Sequence, residues 1–129
     1  MQSLVARAQV IALLFLTEGC CALAPCHPAT SLVGTVTTVG GLPVGNAMIA
    51  LYGSSVVTAK SGCFRMSVSD GIPFNFTVTA KGYKPVEMKA KRGIYRVATK
   101  LALDNVSEQS RTEWSSISEG AFHDATPCE

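Results

Sequence analysis

The stretch Phe74-Asn75-Phe76-Thr77-Val78-Thr79-Ala80-Lys81-Gly82-Tyr83 decides how the chain reads. Phe74, Phe76, Val78 and Ala80 alternate with Asn75, Thr77, Thr79 and Lys81. Successive side chains of a strand point to opposite faces, so this is a strand with one apolar and one wet face. Gly82 ends it. Upstream, Gly62-Cys63-Phe64 opens a second alternating run, in which Phe64, Met66 and Val68 are set against Arg65, Ser67 and Ser69. Asp70-Gly71 is a turn signal between the two runs. The centre of the chain is therefore expected to be a hairpin whose apolar face other strands must cover.

The flanks supply those strands. Leu32-Val33-Gly34-Thr35-Val36-Thr37-Thr38-Val39 is rich in β-branched residues and predicts the first strand. A wide turn, Gly40-Gly41-Leu42-Pro43-Val44-Gly45-Asn46, leads to a second strand with Ala47, Ile49 and Leu51 on one face. A short third strand is expected over 56–59. After Gly82, residues 83–90 carry Val86, Met88 and Ala90 on one side. Pro85 lacks an N–H for a ladder and marks this strand as an edge. In the last expected strand Tyr95, Val97, Thr99, Leu101 and Leu103 point in, and Arg96 and Lys100 point out. The pattern is that of an all-β chain, a small seven-stranded β-sandwich. Its expected core is Leu32 or Val33, Val36, Ile49, Leu51, Val57, Phe64, Met66, Phe74, Phe76, Val78, Val86, Met88, Val97 and Leu101.

The 129 residues fit one domain. Net charge is only +2, but it is unevenly spread. Residues 32–103 hold nine Lys/Arg and two acids, and residues 104–129 hold six acids and one Arg. The chain thus divides into 1–22 as an export signal, 23–31 as a Pro-interrupted linker, 32–103 as the sandwich, and 104–129 as an acidic, mostly disordered tail. A short helix near 111–117 is an option within that tail.

The export reading rests on Arg7, an apolar run over 8–16 broken only by Gln9, and small residues after it. The run is too short to span a bilayer. Leu16-Thr17-Glu18-Gly19-Cys20 resembles a bacterial lipoprotein signal, which would make Cys20 a lipidation site and tie the protein to a membrane by acyl chains. It departs from that pattern in the place of its leucine and in Glu18. Cleavage after Ala22 is the alternative.

The order of features also resembles the carboxypeptidase regulatory-like domain family. The residues that carry the likeness are Gly34-Thr35-Val36, Gly41-Leu42-Pro43-Val44, Ala47-Met48-Ile49-Ala50-Leu51, Thr58, Gly62-Cys63-Phe64, and the run from Phe74 through Gly82-Tyr83-Lys84-Pro85-Val86. The resemblance implies a transthyretin-like seven-stranded sandwich and a role as an accessory module beside catalytic or transport domains. Asn46 stands where the family usually has glycine, a substitution that asparagine's tolerance of the left-handed region permits. Ala59, Lys60 and Ser61 stand where the family often has Asp, which argues against a cation in that turn.

Catalytic chemistry finds little support. The chain has no nucleophile elbow, phosphate loop or His-Glu-x-x-His sequence. Its histidines, His27 and His123, lie outside the expected sandwich, and no cofactor or metal is expected. The outward cations Lys84, Lys89, Lys91, Arg92, Arg96 and Lys100 gather on the last two expected strands. They read either as an anion-binding face or as a charged surface that blocks sheet-to-sheet pairing. Nucleic acid is not expected as a partner, because no aromatic ladder interleaves these charges. An oxidising compartment would favour cysteine pairing. Cys63 precedes inward-pointing Phe64 and so lies on the outer face, within reach of a tail folded back by charge attraction near Arg96 and Lys100. A Cys63–Cys128 disulfide is the pairing expected, with Cys26–Cys63 and Cys26–Cys128 as the other pairs; set against all three is a free Cys63 beside a disordered tail.

The function expected from the sequence is a non-catalytic accessory or binding domain, exported to a bacterial cell envelope or secreted, that contacts protein or carbohydrate. The alternatives are a structural surface spacer and an oligomeric carrier of a small apolar ligand.

Overall fold

The computed structural model describes residues 30–69 and 75–125. Within them, eight strands form two four-stranded sheets that make an all-β sandwich. Sheet A comprises β1 (Thr30–Thr38), β4 (Cys63–Val68), β7 (Gly93–Leu101) and β8 (Arg111–Ser116), in the order β4-β1-β7-β8. Sheet B comprises β2 (Met48–Leu51), β3 (Ser54–Val57), β5 (Asn75–Thr79) and β6 (Val86–Lys89), in the order β3-β2-β5-β6. A short helix, α1 (Glu119–Asp124), follows β8. All pairings are antiparallel except β1 with β7, which run parallel from Thr30↔Gly93 to Thr38↔Leu101.

The alternation read from the sequence sets the inner faces. Leu32 and Val36 of β1, Phe64, Met66 and Val68 of β4, and Val97 and Leu101 of β7 are buried from sheet A. Ile49 and Leu51 of β2, Phe76 and Val78 of β5, and Val86 of β6 are buried from sheet B. Fully burying a side chain of this kind contributes about 1.5–3 kcal/mol. Phe74 belongs to the expected core but lies outside the described residues.

Phe64 and Phe76 do not share a hairpin, contrary to the expectation for the centre of the chain. β4 belongs to sheet A and β5 to sheet B. Paired side by side, their two apolar faces would form one surface still needing cover. Placed in opposite sheets, each lies on the inner face that the other sheet buries.

Two glycines and an asparagine make close crossings passable. A Cβ on Gly34 would lie 2.0 Å from the Val97 carbonyl oxygen, so β1 and β7 approach there only without a side chain. Gly62 has φ 79, and a Cβ on it would lie 2.4 Å from the Val36 oxygen. The Val36 N–H donates to the Gly62 carbonyl at 2.7 Å across that crossing. Asn46 takes φ 60, the left-handed conformation its side chain tolerates. Thr58 fastens the turn beside it: its Oγ1 accepts from the Ala47 N–H at 3.0 Å and donates to the Val44 carbonyl at 2.7 Å.

The third strand differs from expectation by a shift toward the N-terminus. β3 begins at Ser54 and turns Val56 inward, which leaves Val57 56% exposed. A one-residue change of phase exchanges the faces of every side chain in a strand. Here the phase is set by a two-residue hairpin turn in which both Tyr52 (φ 50) and Gly53 (φ 80) are left-handed.

The stretch 104–129 also needs correction, because residues 111–116 form an eighth strand rather than a disordered tail or a helix. β8 pairs along β7 from Lys100↔Arg111 to Tyr95↔Ser116. Trp114 points inward from it and meets Phe76 edge-on, with centroids 4.9 Å apart at 85°. The Tyr95 ring lies 5.2 Å from that of Trp114, tilted at 59°. The connection from β7 is pinned by Lys84, which is thus no free surface cation. Its Nζ donates to the Val106 and Glu108 carbonyls, and its own carbonyl accepts from Ser110 Oγ at 2.6 Å.

Candidate functional site

Two outer surfaces of the sandwich carry the candidate residues. On sheet A the strand registers assemble them into rows. Arg65 on β4 lies opposite Val33 on β1, and Val33 lies opposite Arg96 on β7. One step along the sheet, Cys63 lies opposite Thr35, and Thr35 opposite Ala98. Further on, Lys100 on β7 faces Arg111 on β8. Arg96, Lys100 and Arg111 are exposed. The only acid on the strands of this face is Glu113, opposite Ala98.

The chain's own C-terminal part returns across this basic face. Ile117 donates its N–H to the Ile94 carbonyl at 3.1 Å, continuing the β7–β8 pairing. Ser118 then caps α1, its Oγ accepting from the Ala121 N–H at 3.0 Å. The helix lies against β1 and β7 and buries Phe122. Arg65 holds it from below. The guanidinium carbon sits 3.9 Å from the centroid of the Phe122 ring, and a guanidinium N–H donates to the Phe122 carbonyl at 2.8 Å. A cation over an aromatic face adds about 0.5–1 kcal/mol at an exposed site and more where water is excluded. Val33, between Arg65 and Arg96, is buried although it points outward.

Of the cations singled out in the sequence, the structure brings Arg96 and Lys100 together. Lys89 stands on the outer face of sheet B, opposite Asn75. Lys91 and Arg92 lie in the β6–β7 connection, where the Lys91 carbonyl accepts from Thr30 and the Arg92 carbonyl from the Tyr95 hydroxyl. These three belong to a different part of the surface. Arg65 and Arg111 join the basic face without having been singled out, because only cross-strand register places them there.

Cys63 lies half-buried on the outer face of β4 and is disulfide-bonded. Cys20, the candidate lipidation site, and Cys128, the expected disulfide partner, lie outside the described residues. Among the described residues, no three His, Cys, Asp or Glu side chains group as a metal site.

The second surface is the β3 side of sheet B. Met48 pairs with Val57 and Ala50 with Ser55 across β2 and β3, and all four point outward. Met48 is 49% and Val57 56% exposed. Thr58 donates its N–H to the Ala47 carbonyl, and the hydrogen-bonding direction alternates from there along β3. Val56 and Ser54 thus bond toward β2, while Ser55 and Val57 turn their N–H and C=O groups to the edge of the sheet. No residue of β3 carries a charge. The opposite edge, β6, is shielded by Pro85, Glu87 and Lys89.

Among the described residues, no helix is long and apolar enough to cross a membrane. No protein family and no curated protein matches the chain. Among solved structures it is similar to a protein of unknown function from Bacteroides fragilis NCTC 9343, described provisionally as membrane-associated. The identity is 22% and the TM-score 0.45, over 64% of this chain and 31% of that one. It is also similar to the mercury-inhibited catechol 1,2-dioxygenase of Acinetobacter sp. ADP1, at 11% identity and a TM-score of 0.40, over 82% of this chain and 58% of that one. The chain spans less than two thirds of the length of either.

Proposed function

We propose that this is a non-catalytic accessory domain, exported to a cell envelope, that binds an extended segment of a partner protein along β3. The uncharged β3 edge beside the exposed Met48–Val57 pair carries the reading. An exposed sheet edge offers backbone donors and acceptors to an added strand, and side chains of the neighbouring face select its sequence. Edges left without charge, proline or a bulge are a liability in a protein that has no use for them. A partner segment with apolar residues at alternate positions would cover Val57 and Met48 while its backbone pairs with Ser55 and Val57. The likeness to carboxypeptidase regulatory-like domains supports the accessory role, and the N-terminal 22 residues support export.

The test is site-specific photocrosslinking in the producing cell, with the reactive residue at position 57 and, as control, at position 81. The reading expects an adduct to one protein from position 57 alone, lost when Ser55→Pro removes an edge donor. Equal labelling from both positions, or an adduct indifferent to Ser55→Pro, would favour the alternative of a passive surface spacer.

A further inference from the structure

We infer that the end of the sandwich built by the β1–β2, β3–β4, β5–β6 and β7–β8 connections docks on an anionic membrane surface, with Leu42, Leu103 and Val106 entering the headgroup layer. The strand registers gather these four connections. Thr38, the last residue of β1, lies opposite Leu101, the last of β7. β2 begins and β5 ends at the Met48↔Thr79 pair, and β3 ends at Val57, opposite Met48. The Tyr83↔Leu103 bridge joins the two sheets at this end. A Cβ on Gly62 would lie 3.3 Å from the Pro43 Cβ, and one on Gly45 would lie 3.2 Å from the Lys60 Cα, so residues 59–62 turn beside 43–45.

Among the described residues, the exposed large apolar side chains are Leu42, Met48, Val57, Leu103 and Val106, and all five belong to this end. Met48 and Val57 point outward from sheet B. Leu42, which is 69% exposed, and Leu103 and Val106 lie in the connections themselves. Hydrogen bonds hold all three in place. Thr38 donates its N–H to the Leu42 carbonyl at 2.7 Å, and its Oγ1 accepts from the Leu42 N–H at 3.1 Å. The Asp104 N–H donates to the Gly82 carbonyl at 3.1 Å, and Lys84 Nζ donates to the Val106 carbonyl. Backbone already ordered in this way loses little further freedom on binding.

Charge selects the occupant. Lys60, Lys81, Lys100 and Arg111 are exposed around the same end, and Lys84 is half-buried among them. Lys100 stands between Thr37 and Arg111 across sheet A. The acids of these connections are Asp104 and Glu108, so cations outnumber them. Binding to a membrane surface grows with the apolar area that enters it and with attraction to anionic lipid. Side chains offered from loop tips and ringed by cations suit that surface, because headgroups move to fit them. The β3 edge stays free in this orientation, and the inference does not rest on the partner strand proposed for it.

Cosedimentation with vesicles tests the docking. The chain is purified from its producing cell as Cys20→Ser, so that no acyl group contributes. Vesicles are phosphatidylcholine alone, or phosphatidylcholine and phosphatidylglycerol in equal parts. Binding is expected on the anionic vesicles only, and it should fall as salt rises. Lys100→Gln with Arg111→Gln should weaken it more than about tenfold. Leu42→Ser with Leu103→Ser should weaken it about tenfold, with Trp114 emission unchanged. Lys89→Gln with Lys91→Gln removes the same charge away from this end and should leave binding within about twofold. No binding, equal binding to both vesicles, equal losses from the two charge pairs, or indifference to the leucine changes would overturn the inference.

Discussion

Trp114 on β8 meets Phe76 on β5 edge to face, centroids 4.9 Å apart, and so joins a strand near the C-terminus to the middle of the opposite sheet. Such pairs add about 0.5–1.5 kcal/mol beyond the area they bury. Trp114→Ala is expected to cost about 3 kcal/mol, near the lower limit for buried tryptophan because its ring is half-buried. Chemical denaturation followed by far-UV dichroism measures it. Trp114 is also the only tryptophan of the chain, so its fluorescence reports β8 docking directly. A separate early fluorescence transition would mean that β8 leaves before the sandwich unfolds.

Phe76 is wholly buried, whereas Val57 is 56% exposed. Phe76→Ala should cost about 3–5 kcal/mol and Val57→Ala under about 0.5 kcal/mol in the same denaturation assay. Equal effects at the two sites would contradict the phase of β3.

Gly34 and Gly41 separate a clash from a conformational preference. A Cβ at Gly34 meets the Val97 oxygen at 2.0 Å, while one at Gly41 (φ 94) meets nothing within 4 Å. Gly41→Ala should cost about 1–2 kcal/mol through backbone strain alone. Gly34→Ala should cost more than about 3 kcal/mol or abolish folding, because neither backbone at the crossing can yield.

Lys84 ties down the connection between β7 and β8 through two carbonyls. Lys84→Met keeps the aliphatic stem and removes both bonds. The expected cost is about 1–2 kcal/mol, with faster amide exchange in 104–108 as the local sign. A loss of stability without that local change would assign Lys84 a different role.

An oligomeric ligand carrier needs a channel between subunits. Sedimentation of the intact protein is expected to give a monomer. A stable tetramer would revive the carrier alternative at the expense of the binding domain proposed above.

The fold was legible wherever a single face alternates with large apolar residues. Phe64, Met66 and Val68, and again Phe76 and Val78, declare their strands and their inward side. Pairing was not legible, since alternation says which face is buried and nothing about which neighbour lies alongside. That is why β4 and β5 read as a hairpin although they lie in opposite sheets. β8 escaped notice for a different reason. Its inward residues are Thr112, Trp114 and Ser116, and one large side chain between two small polar ones is too faint a signal to register as a strand. The candidate site was legible in part. Arg96 and Lys100 announce an outward face, but Arg65 and Arg111 lie 31 and 15 residues from Arg96 in the chain (96 − 65 and 111 − 96) and reach that face only through register.

The parallel pairing of β1 with β7 imposes an order on assembly. Thr30 meets Gly93, 63 residues later (93 − 30), whereas β2 meets β3 across a two-residue turn and β5 meets β6 nearby. Closing a long loop costs entropy before any contact rewards it, so distant pairs form late. Until β7 joins it, the β-branched length of β1 has no parallel partner to pair with. Sheet B can gather from its local pairs first. Sheet A closes only when β7 slides in between β1 and β8, and the folding chain must survive that wait with one side of its first strand unpaired.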